Sequence, residues 1–305
     1  MVERLKDAIN KARERREAAV AAPVAPPPPV GDNNQPADEL RDAMLAAVSK
    51  GPGKPGATAA SAAAPQRRVP VDEEWSNLQQ LTLTPSRLDQ NRLVSYKKSN
   101  PAHLGFDMLR TRVLNIMRTN GWNRLAITSP TKHCGKSVVS LNLALSLGHQ
   151  NDLRSMFFDM DLRSPSAAGC LDVREDLSMV KFLQGDVDPA DYLRRAGPNL
   201  AFGLNTDAAP APAELLHNEH TKRVIDSTVT RYRPNVVIFD LPPVLVTDDV
   251  LAFLPHVDCL LMVAATGVTT PKEIRESEAI VADQTNFLGV MLNKSKEKTT
   301  HGYYH

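Results

Sequence analysis

Apolar positions along the chain follow two rhythms. Short continuous runs, Arg124-Leu-Ala-Ile-Thr128, Met156-Phe-Phe158, Asn235-Val-Val-Ile-Phe239, Asp258-Cys-Leu-Leu-Met-Val-Ala264 and Asn286-Phe-Leu-Gly-Val-Met-Leu292, have the length and composition of buried strands. Between them the spacing turns helical. Phe106, Leu109, Val113, Ile116 and Met117 share one helical face that Asn120-Gly121 caps, and Val138 to Leu147, stopped by Gly148, is apolar enough to lie buried against a sheet. Ala213 to Tyr232 and Pro271 to Asp283 read as further helices. Strand alternating with helix predicts an α/β fold: a mostly parallel sheet with helices on both faces, and ligands at the carboxyl edge of the strands.

Neither rhythm holds upstream. Residues 3–20 are good helix formers with opposite charges three and four apart, but their apolar face, Val2, Leu5 and Ile9, is thin. Two readings fit, a docking helix for another protein or a solvated extension. Residues 21–70 are Ala/Pro-rich, including Pro26-Pro-Pro-Pro29 and Gly51-Pro-Gly-Lys-Pro-Gly56. That composition builds no packed core and predicts a disordered linker, with one short helix over 37–49. Order returns after Val71, where Trp75, Leu78, Leu81 and Leu83 can pack on the core and Thr84-Pro-Ser86 reads as a turn. The predicted organisation is thus a helix over 1–20, a linker over 21–70, one catalytic domain over 71–293 and a flexible, tyrosine-bearing tail over 294–305.

Charge and cysteine usage narrow the classes. A net charge of +1 over 305 residues gives no basis for a nucleic-acid partner. Cys134, Cys170 and Cys259 follow no metal-ligand pattern, which suits a reduced, cytoplasmic compartment. The start of the chain lacks the apolar core of an export signal, and Cys259 to Ala265 is far too short to span a membrane. Any membrane work is expected to go through a partner.

The candidate chemistry lies where strands end. Ile127 to Ser137 runs from strand through a tight loop into a helix, and Gly135-Lys136-Ser137 is the end of a phosphate-binding loop. Backbone amides and a helix N-terminus face the anion there, Lys136 adds a full charge, and Ser137 can hold magnesium. Thr131 to Val138 (Thr131, Lys132, His133, Cys134, Gly135, Lys136, Ser137 and Val138) would form the nucleotide cradle. A standard loop has glycine where this chain has Pro130. Further on, Asp159 and Asp161 are spaced to share one face of a strand. Their mutual repulsion would be relieved by a divalent cation; the other reading is a solvated strand end. Asp240, at the end of another apolar strand, repeats the pattern.

In their order these motifs resemble the bacterial tyrosine kinase (BY-kinase) family of P-loop ATPases, of the cytosolic CpsD/CapB type, which works in capsule and exopolysaccharide production. The resemblance covers about residues 87–305 and rests on residues in six places. They are Leu109-Arg-Thr111, Ser129-Pro130 with Gly135-Lys136-Ser137 as Walker A, and Phe157-Phe-Asp-Met-Asp-Leu-Arg163 with Pro165-Ser166 as Walker A′. Val237-Ile-Phe-Asp-Leu-Pro-Pro243 with Thr247-Asp248 stands as Walker B, and Pro212-Ala-Glu-Leu-Leu216 and Leu288-Gly-Val-Met-Leu-Asn293 complete the set. The resemblance implies ATP and Mg2+ as cofactors. Lys136 would hold the β- and γ-phosphates, Ser137, Asp161 and Asp240 the metal, Asp159 would be the catalytic base toward a tyrosine hydroxyl, and Asn293 would contact the adenine. It also implies a homo-oligomer, a membrane partner of the polysaccharide co-polymerase (chain-length) type, and a C-terminal tyrosine cluster as substrate. Here the phosphoacceptors would be Tyr303 and Tyr304, and a tail extended from Asn293 reaches Tyr303 over at most about 33–36 Å. The other reading is a tail whose tyrosines have no role.

The sequence departs from the family in several places. Lys132-His133-Cys134 replaces the usual Pro-Gly-x, so His133 must adopt or avoid a left-handed backbone. Leu104, Asp107 and Arg110 stand where the family has Glu-x-x-Arg-x-x-Arg for ring contacts, and Leu241 replaces a hydroxyl residue. Cys134, beside Lys136 at a helix N-terminus, would have a lowered pKa and could be oxidised; the simpler reading is a small residue that fits. The alternative function is a kinase-inactive regulatory ATPase or scaffold resembling the partition and division-site ATPases. Their signature lysine falls at Thr131, one place before Lys132, and no cysteine pair suits an iron-sulfur carrier.

Overall fold

The structure, a computed structural model, describes residues 73–295. The expected helix over 1–20, the linker over 21–70 with its short helix, and Tyr303 and Tyr304 lie outside the described residues. Eight strands form one sheet: β1 (Gln79–Gln80), β2 (Arg124–Thr128), β3 (Ser155–Asp159), β4 (Arg194–Ala196), β5 (Leu200–Gly203), β6 (Val236–Asp240), β7 (Cys259–Ala265) and β8 (Asn286–Asn293). Their order is β1-β4-β5-β3-β6-β2-β7-β8. Every pairing is parallel except β4 with β5. This is the expected α/β fold with a mostly parallel sheet.

Strands β2, β3, β6 and β7 are buried almost end to end, as strands covered on both faces must be. Each fully buried Leu, Ile or Phe there contributes roughly 1.5–3 kcal/mol relative to exposure. The helix Lys136–Gly148 is buried nearly all round, with Leu141, Leu143 and Leu147 inaccessible. Asn142 within it accepts from the Ser95 amide at 2.9 Å and donates to the Arg92 carbonyl at 3.0 Å, tying the preceding loop to the core. Among the described residues, no helix is long and apolar enough to cross a membrane.

Four details differ from the sequence expectation. The helix His103–Asn120 buries Leu114 beside Val113 and Met117 and leaves Ile116 39% exposed. Thr84-Pro85-Ser86 starts a helix, Pro85–Gln90, because proline is pre-set for a first helical turn. The stretch 213–232 is two helices, Pro212–His217 and Glu219–Tyr232, broken where the Asn218 side chain accepts from the His220 amide at 2.8 Å and caps the second. Strands β1, β4 and β5 carried no clear signal in the sequence. In β1 both residues are exposed glutamines, β4 is Arg194-Arg-Ala196, and β5 ends at Gly203. A Cβ at Gly203 would stand 2.4 Å from the Phe158 ring, so glycine is required for the two strands' side chains to pack.

Candidate active site

Sheet register brings the acids together. Asp159 at the end of β3 is the direct partner of Asp240 at the end of β6, and Asp240 in turn is level with Ile127 of β2, just before the loop. Strand β3 stops at Asp159, so Asp161 lies beyond it rather than on the same strand face as expected. A turn returns Asp161 to the cluster: its backbone N–H approaches Asp159 Oδ1 at 3.3 Å, and the Met160 N–H donates to the Asp240 carbonyl at 2.9 Å.

Lys136 is the centre of this arrangement. Its Nζ lies 2.8 Å from Asp161 Oδ2, 3.6 Å from Asp240 Oδ2 and 3.3 Å from Ser137 Oγ. Burial works to lower the Lys136 pKa, but Asp240 and Asp161 outweigh it and hold the ammonium above its ordinary range. Burial and the Asp240 charge push Asp159 up to about 7. Burial likewise raises Asp240, against the pull of Lys136. Asp159 is wholly buried; its Oδ2 accepts from the Ser166 and Ala167 amides at 3.1 and 3.0 Å.

The loop before Lys136 has the shape an anion needs. His133 takes the left-handed conformation, φ 66°, where a glycine was expected, and Gly135 follows at φ 85°. No side chain caps the helix Lys136–Gly148, so the amides of its first turn have no acceptor within the helix. Thr131 is half-buried, Lys132 and His133 are exposed, and Val138 is half-buried on the first helical turn. Cys134 is buried, its Sγ 3.2 Å from the Thr131 carbonyl and 3.3 Å from Thr269 Oγ1, which is a packing role. Asn293 reaches the loop directly: its Nδ2 donates to the Cys134 carbonyl at 2.9 Å.

The donor set fits a hard divalent cation completed by phosphate oxygens. Asp240 Oδ2 is buried without a hydrogen-bond partner, 3.6 Å from Lys136 Nζ, and Asp161 and Ser137 are adjacent to the same ammonium. Among the described residues, no group of three or more His, Cys, Asp or Glu could hold a metal unaided.

Sequence reading missed three contributors. Ser140, one helical turn after Lys136, has its Oγ 2.9 Å from Asp240 Oδ1; its i+4 spacing from Lys136 was the available signal. Arg163 clamps Asp249 in bidentate fashion at 2.6 and 2.9 Å, joining the Walker A′ turn to the helix Asp249–Phe253. Lys294 Nζ donates to the His133 carbonyl at 2.7 Å.

A mostly parallel sheet with a Gly-Lys-Ser loop after one central strand and carboxylates ending the next two defines the P-loop NTPase fold. The chain is similar to bacterial tyrosine kinases of the CpsD and Etk type. It is 28% identical over 204 residues to tyrosine-protein kinase CpsD of Streptococcus agalactiae, covering 65% of this chain and 86% of CpsD. It is also 28% identical over 198 residues to tyrosine-protein kinase Etk of Escherichia coli K12, covering 64% of this chain and 27% of Etk. The solved kinase domain of Escherichia coli Etk superposes with a TM-score of 0.58 at 25% identity, covering 66% of this chain and 80% of that domain. The chain thus spans a third or less of the length of the longer curated relatives it matches. No family model matches it.

Proposed function

We propose that this protein is an ATP-dependent protein-tyrosine autokinase that regulates the polymerisation and export of a capsule or exopolysaccharide. The observation that carries this reading is the buried cluster in which Lys136 sits between Asp161 and Asp240, with Asp159 behind them, at the mouth of an uncapped helix. Incoming phosphates compete with the two carboxylates for the Lys136 ammonium, while the amides of residues 135–138 face the β-phosphate. Ser137, Asp161 and Asp240 would hold Mg2+, which supplies neutralisation of charge on the phosphates. Asp159, raised to about 7, can take the phenolic proton near neutral pH as the tyrosine oxygen forms its bond to the γ-phosphorus and ADP leaves. Positioning and charge neutralisation carry the remainder of the rate.

The acceptors in this reading are Tyr303 and Tyr304 of a neighbouring copy in a homo-oligomer. The protein acts in the cytoplasm and is recruited to the membrane by a chain-length-type partner. The test is the mass of the intact protein after incubation with ATP and magnesium. Phosphotyrosine is expected, lost in Lys136→Met and in the double variant Tyr303→Phe/Tyr304→Phe. ATP consumption without phosphotyrosine would replace this reading with a regulatory ATPase or scaffold of the same fold.

A further inference from the structure

His133 is not glycine, yet it takes the left-handed backbone that the loop requires, φ 66°. For an L-residue that conformation is disfavoured and persists only where neighbours over-determine it. Those neighbours come from the far end of the chain. Lys294 Nζ donates to the His133 carbonyl at 2.7 Å, and Asn293 Nδ2 donates to the next carbonyl, that of Cys134, at 2.9 Å.

The two donors are themselves held. Asn293 is the last residue of β8 and pairs in register with Ala265 of β7, and its own carbonyl accepts from the Thr266 amide at 3.0 Å. Its side-chain oxygen accepts from the Lys294 amide at 2.9 Å, so both ends of the amide group are engaged. Lys294 is left-handed too, at φ 59°, which turns its side chain out of the line of β8.

Such a tether orients the loop's donors. The peptide bonds are trans, so the carbonyl of one residue and the N–H of the next point in opposite directions within their shared plane. Holding the His133 carbonyl fixes the Cys134 N–H on the far side from β8, and holding the Cys134 carbonyl does the same for the Gly135 N–H. A Cβ on Gly135 would lie 2.5 Å from Asn293 Nδ2, so the loop and the strand end are built in close contact.

We propose that Lys294, together with Asn293, is a positioning residue of the phosphate loop, replacing by a side-chain clasp the conformational freedom that glycine at position 133 would supply. The clasp rests on the nucleotide-site reading above only for its consequence, affinity for nucleotide. Lys294 is exposed, so its removal leaves the core intact.

The experiment compares the full chain with Lys294→Ala, His133→Gly and the double variant. Two quantities are measured: affinity for the fluorescent nucleotide MANT-ADP with magnesium, and hydrogen exchange at the Cys134 and Gly135 amides without nucleotide. Lys294→Ala is expected to weaken MANT-ADP binding roughly fivefold and to speed exchange at both amides. In the His133→Gly background the same substitution should change affinity less than about twofold, because glycine holds the left-handed conformation unaided. Equal losses in both backgrounds would mean that Lys294 acts by its charge on the nucleotide, and would overturn the clasp, as would unchanged exchange. If the unsubstituted chain binds no MANT-ADP, the nucleotide reading fails, and the exchange rates alone decide on the clasp.

Discussion

Asp159 shows what it costs to gather acids inside a fold. Its ordinary carboxyl value is 3.8, and in the folded chain it stands at about 7, chiefly from burial and then from Asp240. Between those values the folded state keeps a proton that the unfolded chain releases, so stability is lost as pH rises from about 4 to about 7. Asp159→Asn removes this loss. The amide oxygen can still accept from Ser166 and Ala167, and only the long 3.3 Å contact to the Asp161 amide is given up. Without magnesium, the variant is expected to melt about 5 °C or more above the parent at pH 8, the gap closing by pH 4. Thermal unfolding across that pH range reads it; a constant gap would show that charge is not the cause. The acids themselves were legible because each ends, or nearly ends, a run of apolar residues. Lys294 was not, because its partner is a backbone carbonyl 161 positions away, and no residue type advertises such a contact.

At the scale of elements, the loop and the helix behind it act as one unit. The sequence located this unit well, since strand, Gly-Lys-Ser and a fully apolar helix follow one another without a gap. It could not decide the backbone at His133, because the left-handed conformation there depends on β8, an element distant in sequence. The short strands β4 and β5 escaped for a related reason. In β5, Phe202 packs on the Phe157 ring and Gly203 lies against the Phe158 ring, contacts that depend on β3 rather than on a pattern within the segment. Gly135 is the tightest point of the unit, combining φ 85° with the close approach of Asn293. Gly135→Ala is expected to destabilise the chain by about 1–3 kcal/mol and to abolish MANT-ADP binding, because Asn293 must be driven off the Cys134 carbonyl. Urea unfolding and fluorescence titration check the two effects separately, and a variant that binds normally would contradict the packing described.

For the whole molecule, alternation of strand and helix was enough to give the parallel sheet and to place its binding edge, because crossover connections leave few other topologies. Strand order was not readable, and it is this order, with β6 between β3 and β2, that sets Asp240 between the Walker A′ acids and the loop. The same architecture places the three thiols at three depths. Cys170 is half-buried near the surface, Cys134 is buried within the phosphate loop with its thiol turned against Thr269, and Cys259 lies inside β7, where burial pushes its thiol up to about 12. Alkylation should therefore proceed in the order Cys170, Cys134, Cys259, as mass spectrometry of timed samples would show. Cys134 can react only when the loop lifts away from Thr269, so its labelling rate measures how often the loop opens. The buried thiol thereby makes the chain its own timepiece for the opening of this loop, with no foreign reporter group built into the protein beforehand.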